Sequence, residues 1–224
     1  MRPTTLLFLT CITLPACSAR SVESAPSRAP RAAVEASATT EASGTTEARP
    51  CEAANTFFGG TAIADREGWY GPHLRAMEER PLCTGEGTPR KTYRFTWIPA
   101  FHAPVVVRVE RLAQGYRLHA KLGGGTGGYE AGPLVRDTIA MLSDAEVRNF
   151  TAQLTASQFW SLPTLDPDPP IGMDGAQWVL EGLVGTRYHV VDRWSPSEED
   201  KYRRLGDWLL ARSGLVSDKL VREY

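Results

Sequence analysis

The stretch GMDGAQWVLEGLVGTRYHVVDRWSP, residues 172–196, holds two runs rich in β-branched and aromatic residues on either side of Gly185. Such runs are typical of β-strands, and a glycine between them favours a tight turn. With Val184 and Gly185 in the turn, we expect Leu180 to lie opposite His189. The stretch therefore predicts an antiparallel β-hairpin.

The polar side chains of this hairpin raise the question of catalysis. His189 with Asp192 or Glu181 could act as a general base with its orienting carboxylate. In this register, however, Asp192 points to the opposite face from His189, and Glu181 is at best a diagonal neighbour. The sequence offers no Gly-x-Ser-x-Gly elbow and no spare cysteine as a nucleophile. We therefore expect His189 to pack beside Leu180 and Trp178, and we keep the catalytic role as an alternative.

Further strands are predicted upstream of the hairpin. The runs TYRFTWIP, PVVVRVERL and GYRLHAKL begin at residues 92, 104 and 115, and LVRDTIAML begins at residue 134. The second run alternates like a half-buried strand, and a short connection leads from it to the third. These runs favour an antiparallel meander.

Helical signals surround the strands. Ser143 and Glu146 form a capping box, residues 195–198 supply the start of a second helix, and Gly214 supplies its stop. A short N-terminal helix is predicted from Pro72 to residue 80. Their inward positions are Leu74 and Met77; Val147, Phe150, Thr151 and Leu154; and Tyr202, Leu205 and Leu209. The sequence thus predicts a single α+β domain, an antiparallel sheet of about five or six strands packed by two main helices and the short N-terminal one.

The N-terminus has the sequence features of an export signal. The apolar run from Leu6 to Leu14 is too short to cross a bilayer as a helix of about 20 residues, which indicates a signal peptide over residues 1–16. The sequence Leu-Pro-Ala-Cys that ends at Cys17 resembles the lipobox of bacterial lipoproteins. This resemblance implies that Cys17 carries acyl chains, and Ser18 after it favours the outer membrane of a two-membrane cell. An ordinary signal peptide cleaved nearby is the alternative.

Residues 17–50 are predicted to form a disordered tether to a globular domain at residues 51–224. The tether consists largely of Ala, Ser, Thr, Pro, Glu and Arg and cannot bury enough apolar surface to fold. A chain of this length reaches roughly 30 Å. The 25 basic and 26 acidic residues of the whole chain nearly balance, so we expect no nucleic-acid partner.

Cysteine usage points to an oxidising compartment. Cys11 leaves with the signal peptide and Cys17 would carry lipid, which leaves Cys51 and Cys83 as a pair. We expect a disulfide between them. A zinc site is not expected, because the two thiols lack a short CxxC spacing and no histidine pair stands at ligand distance.

Two loop sequences resemble ligand-binding motifs but lack other features that those motifs require. GGGTGG at residues 123–128 fits GxGxxG, but no helix pattern follows to receive a pyrophosphate, so we expect a flexible glycine loop and no nucleotide cofactor. Asp166, Asp168 and Asp174 could offer oxygen ligands to Ca²⁺, but prolines replace the middle ligands of an EF-hand loop. A solvated, proline-stiffened loop without metal is expected.

The last third of the chain contains Trp160, Trp178, Trp194 and Trp208, and tryptophans at strand and helix positions are more often core residues than parts of a carbohydrate site. Arg193 and Trp194 at the end of the hairpin are expected to be exposed and to offer a binding surface. The segments FWSLP, DGAQWVLEG and YHVVDRWSP resemble a group of bacterial exported and lipid-anchored proteins with no assigned activity, over about residues 123–215. The resemblance implies no catalytic roles.

Three functions follow as hypotheses. The leading one is a lipid-anchored envelope protein, not an enzyme, that binds an envelope protein or polysaccharide. The first alternative is an envelope hydrolase, for which His189, Glu181, Asp192 and Asp174, or His119 and His102, would have to converge in one pocket. The second is a glycan- or peptidoglycan-binding domain, which needs at least two coplanar exposed aromatic rings.

Overall fold

The computed structural model describes residues 56–85 and 88–224. Six strands form one antiparallel sheet in the order β4-β3-β2-β1-β5-β6, so the α+β prediction is confirmed. The elements are α1 (Glu67–Ala76), β1 (Lys91–Pro99), β2 (Val105–Leu112), β3 (Gly115–Gly123), β4 (Leu134–Leu142), α2 (Asp144–Ala156), β5 (Ala176–Val184), β6 (Arg187–Trp194), α3 (Lys201–Ser213) and α4 (Asp218–Val221), with 3₁₀ turns at Ala64–Arg66 and Phe159–Ser161.

The signal peptide (residues 1–16), Cys17, the tether (residues 17–50) and Cys51 lie outside the described residues. They therefore stay predictions from the sequence. Among the residues that are described, none of the helices combines the length and apolar character needed to cross a bilayer.

The hairpin of β5 and β6 forms, but its register differs from the prediction by two residues. His189 lies opposite Gly182 rather than Leu180, because Val184 pairs with Arg187 and the turn contains Gly185 and Thr186. Gly185 has φ of 64°, a left-handed conformation that glycine adopts without strain. Since side chains alternate with a period of two, a two-residue shift leaves every predicted face unchanged.

Two predicted helix starts are wrong. Helix α1 begins at Glu67 and contains Pro72 in its interior, although Leu74 and Met77 are buried as predicted. Helix α3 begins at Lys201, with Asp200 as N-cap accepting a hydrogen bond from the Tyr202 amide. The predicted N-cap Ser195 is unavailable because its hydroxyl accepts from the Ala176 amide at 2.9 Å.

The other helix predictions are largely confirmed. Ser143 and Glu146 form the capping box of α2, and Gly214 ends α3 in a left-handed conformation with φ of 65°. Thr151 is exposed rather than inward, and its hydroxyl donates to the carbonyl of Val147. The inward residues that are buried are Phe150 and Leu154 on α2, and Tyr202, Leu205 and Leu209 on α3.

Both faces of the central strands are covered. Helices α2 and α3 pack over one face, where Phe95, Trp178 and Leu205 belong to the larger core cluster. The segment of residues 56–85, called here the N-terminal segment, packs on the opposite face around Tyr70 and Val179. We call that second face the segment face.

The two sheet edges differ. Along β6, the Asp192 amide donates to the Thr164 carbonyl at 2.8 Å, so the chain before β5 covers that edge. On β4, Val135 and Ile139 are exposed on the segment face. Strand β4 is thus the more open edge of the sheet, and its exposed side chains can serve as surface controls.

Candidate functional site: an aromatic cleft at the end of the sheet

The three catalytic candidates of the hairpin lie in separate environments. His189 is on the helix-covered face, where its Nε2 lies 3.1 Å from the Leu162 carbonyl oxygen and its ring contacts Phe159 and Trp160. Those neighbours replace the predicted Leu180 and Trp178, because the shifted register moves His189 toward the turn. Glu181 and Asp192 are on the opposite face.

Glu181 and Asp192 are both buried, and each is paired with side chains other than His189. The Glu181 carboxylate accepts from Arg94 Nε at 2.6 Å and Nη2 at 2.8 Å. Asp192 Oδ2 accepts from the Tyr70 hydroxyl at 2.9 Å and from Arg66. These carboxylates therefore join the N-terminal segment and the strands together rather than facing a shared pocket with His189.

The remaining polar candidates, His102, His119 and Asp174, have partners or positions of their own, apart from His189. His102 Nδ1 lies 2.6 Å from the hydroxyl of Tyr224. His119 lies between Arg108 and Asp137 on the segment face. Asp174 is exposed in the loop before β5. Within the described part of the chain, none of these side chains is a hydrogen-bond or ring partner of His189.

Burial lowers the pKa of His189 below its ordinary value of 6.5. Because the unfolded chain takes up the proton first, the stability linked to this histidine is present above pH 6.5 and is lost as pH falls through the lowered folded-state value. We expect His189→Gln to make the free energy of unfolding less dependent on pH below 6.5 than in the wild type. Urea unfolding at neutral and mildly acidic pH checks this, and parallel curves for the two proteins would contradict it.

The acidic loop has the geometry of a turn. Asp166 Oδ1 accepts a hydrogen bond from the Asp168 amide at 3.1 Å, and Asp168 and Asp174 are exposed. Over residues 56–85 and 88–224, no group of three His, Cys, Asp or Glu side chains could hold a metal ion. Asp166 instead lies 4.0 Å from Arg193.

The GGGTGG run forms a loop between β3 and β4, and its glycines are tightly packed rather than merely flexible. A Cβ on Gly127 would lie 1.7 Å from the Pro99 carbonyl oxygen, and one on Gly125 would lie 2.3 Å from that of Glu130. Strand β4 follows the loop, so no helix N-terminus faces it. The glycines allow the loop to press against the end of β1 and to place Tyr129 there.

The predicted exposure of Arg193 is wrong. Its guanidinium is buried and donates to the carbonyl oxygens of Pro163 at 2.9 Å and Thr164 at 3.1 Å. The chain that covers the β6 edge supplies these acceptors. Of the four tryptophans expected in the core, Trp178 is fully buried and Trp160 and Trp208 pack against the core from partly buried positions.

A concave surface lies where β1 and β6 end, on the segment face. It consists of two adjoining depressions of about 400 Å³ and about 150 Å³ that share Trp69, Gly128 and Tyr129. We call it the aromatic cleft and define it by Trp69, His73, Gly128, Tyr129, Met173 and Trp194. Trp194, one of the two predicted binding residues, thus forms part of its wall.

The cleft, together with Phe101 beside it, contains the most exposed aromatic side chains of the described residues. Trp69 is 44% exposed and Tyr129 is 73% exposed. Phe101, which is 52% exposed, stacks beside Tyr129 with ring centroids 6.0 Å apart and planes 22° from parallel. Scattered exposed apolar residues are ordinary, whereas a contiguous patch of them marks an interaction site.

The cleft also presents unsatisfied polar groups. Nδ1 of His73 is buried and makes no hydrogen bond among the described residues. In the same part of the chain, no hydrogen bond engages the indole N–H groups of Trp69 and Trp194 or the hydroxyl of Tyr129. Burial lowers the pKa of His73 below 6.5, so its imidazole is neutral at neutral pH.

Several backbone contacts fix the loops that form the cleft. The Ala100 amide donates to the Gly175 carbonyl at 2.8 Å, and the Gly128 amide donates to the Pro99 carbonyl at 3.1 Å. Gly175 packs so closely against Trp194 that a Cβ there would lie 2.6 Å from the indole ring. These contacts fix the shape of the cleft, which is therefore part of the packed fold and not a gap between independent loops.

Ion pairs with buried carboxylates hold α1 over the sheet as one wall of the cleft. Near the start of α1, Arg66 and Tyr70 both bind Asp192, two residues before Trp194. Burial raises the pKa of Asp192, and Arg66 partly offsets that rise. After the end of α1, the Glu79 carboxylate lies 3.0 Å from Lys121 Nζ on β3.

Glu79 belongs to a larger ion network on the segment face. Its carboxylate also lies 3.3 Å from Arg108 Nε and 3.5 Å from Arg94 Nη1, and Arg94 in turn binds Glu181. All these side chains are largely buried. The network explains why polar residues alternate on strands whose two faces are both covered.

Trp69, Phe101 and Tyr129 were not predicted from the sequence as functional residues. They lie on α1 and on two loops far apart in the chain, and only the fold brings them together. A local signal existed, since Phe101 and Tyr129 stand among glycine and proline residues, where a large aromatic side chain has little neighbouring structure to bury it. No protein-family model matches the chain, and no curated protein matches it.

Proposed function

We propose that this chain is a lipid-anchored cell-envelope binding module whose ligand occupies the aromatic cleft. The observation that carries the proposal is the convergence of Trp69, Tyr129 and Trp194 on one concave surface beside His73, whose buried Nδ1 has no hydrogen-bond partner among the described residues. Pockets that combine aromatic walls with a few polar groups are the usual form of ligand sites. The signal peptide, the lipobox-like Cys17 and the tether support the location.

A hydrolase using His189, Glu181 and Asp192 receives no support from the geometry. His189 is on one face of the sheet, and the two carboxylates are paired with cations on the other. Water activation requires a base within hydrogen-bond reach of the reacting group. Binding without chemistry is therefore the function that the site favours.

Oxidative footprinting in intact envelopes tests the proposal through two methionines of this chain. Met173 lines the cleft and is 95% exposed, whereas Met141 lies on β4 and is 48% exposed. We expect oxidation of Met173 and Tyr129 to be several-fold slower in envelopes than in the purified full-length protein. Met141 is the internal control and should oxidise at similar rates in both. Equal oxidation of Met173 in the two settings would contradict the proposal.

A further inference from the structure

We infer that the ligand of the aromatic cleft is an uncharged carbohydrate chain. The inference rests on the proposed function and adds the chemical class of the ligand. It depends on the charge of the lining, the arrangement of the aromatic rings and the groups that remain free to form hydrogen bonds.

Charge complementarity excludes an ionic ligand. None of the described residues that line the two depressions is acidic or basic, apart from His73, which burial keeps neutral. A charged ligand would lose hydration without gaining an oppositely charged partner. Arg66 and Arg193, the nearby cations described above, are already committed to Asp192 and to backbone carbonyls.

The ring arrangement suits flat, partly apolar units. Phe101 and Tyr129 stack with nearly parallel planes, and more than half of each side chain stays exposed to a ligand. Sugar rings present C–H groups on their faces and hydroxyl groups around their edges. An aromatic ring can pack against such a face while its own polar group hydrogen-bonds at the rim.

The polar groups of the cleft match the hydroxyl groups around the edge of a sugar ring. Trp69 and Trp194 offer indole N–H donors, Tyr129 offers a hydroxyl, and the neutral imidazole of His73 has an unpartnered Nδ1. Hydroxyl groups of a sugar can both donate and accept, so they could satisfy all four. A purely apolar segment would leave these groups unpaired, which costs free energy.

A proline-rich peptide is the competing ligand, because such peptides also bind aromatic grooves. Carbohydrate is favoured because a run of prolines offers carbonyl acceptors but no backbone N–H, whereas a sugar hydroxyl can donate to or accept from His73 Nδ1 in either tautomer. The expected envelope location adds support, since the domain would face the surface polymers of the cell.

An array experiment with the full-length protein in detergent micelles separates these classes. The array carries chitotetraose, cellotetraose and maltotetraose as neutral chains, sialylated and sulfated oligosaccharides as charged ones, and a decaproline peptide. We expect retention on at least one neutral chain and none on the charged ones. For the neutral chain retained, calorimetry should show about tenfold weaker affinity for Tyr129→Ala, which corresponds to about 1.4 kcal/mol. Ile139→Ala, on the distant strand β4, should bind like the wild type.

The outcomes separate this inference from the proposed function. Binding of decaproline alone, weakened by Tyr129→Ala, would overturn the carbohydrate class and leave the cleft as a binding site. A silent array would also overturn the carbohydrate class, and the footprint of Met173 would then decide the proposed function by itself. Neutral-chain binding that Tyr129→Ala does not weaken would overturn the assignment of carbohydrate to this cleft.

Discussion

Replacing Arg94 by alanine is expected to lower the free energy of unfolding by about 3 to 5 kcal/mol. The Arg94 side chain is fully buried and pairs with Glu181 and Glu79, which are equally buried. Its loss would leave the Glu181 carboxylate without its cationic partner, whereas Glu79 would keep Lys121 and Arg108. Burial already raises the pKa of Glu181, and Arg94 opposes that rise. We therefore expect the Arg94→Ala protein to recover part of its stability at low pH, because the folded state then takes up protons more readily than the unfolded chain.

Arg75→Ala is the matched control. Arg75 and Arg94 both lie over the ring of Phe57, at 5.8 Å and 5.3 Å, so each variant removes one cation–π contact. Arg75 is half exposed and pairs with Glu67 on the surface, and its loss should cost less than about 1 kcal/mol. Urea unfolding of both variants measures the two losses in the free energy of unfolding. Similar losses for the two would show that the ion network contributes little beyond the contact with Phe57.

The second large effect concerns the cysteines. We expect Cys51→Ser and Cys83→Ser together to reduce the free energy of unfolding by roughly 2 to 4 kcal/mol, because a disulfide between them restricts the unfolded chain. Cys83 is buried, and its Sγ lies 3.2 Å from the Phe57 carbonyl oxygen and 3.8 Å from that of Thr56. The start of the described chain, five residues after Cys51, thus lies against Cys83, which supports the pairing.

Chemical denaturation of the full-length protein, purified without reductant, measures this loss, with Cys17→Ser as the control that should leave the stability of the domain unchanged. Mass spectrometry without reductant provides the independent check. A cross-linked peptide pair containing Cys51 and Cys83 is expected. Two thiols that alkylate freely at these positions would contradict the disulfide.

The strands could be predicted because their signals are local. Runs such as residues 92–99 and 134–142 alternate or are rich in β-branched residues, and β1 and β4 form over nearly the same bounds. The capping box at Ser143 could be predicted for the same reason. Each of these features depends on residues within a few positions of one another.

The errors arose where a distant contact decides the local structure. Ser195 has the sequence of an N-cap, but its hydroxyl is bound to the Ala176 amide on β5. Arg193 at a strand end suggested exposure, but the chain at Pro163 and Thr164 covers it. The aromatic cleft escaped prediction because its walls come from α1, three loops and β6.

The central claim is that the aromatic cleft is the binding site of this protein, and site-specific photo-crosslinking in living cells tests it most directly. A photoreactive phenylalanine analogue is placed at position 129 or at position 139 of the full-length chain. Tyr129 is 73% exposed in the cleft, and Ile139 is 60% exposed on β4. The account predicts a covalent adduct with an envelope component from position 129 and none from position 139. Adducts of the same kind and yield from both positions, or none from position 129, would contradict it.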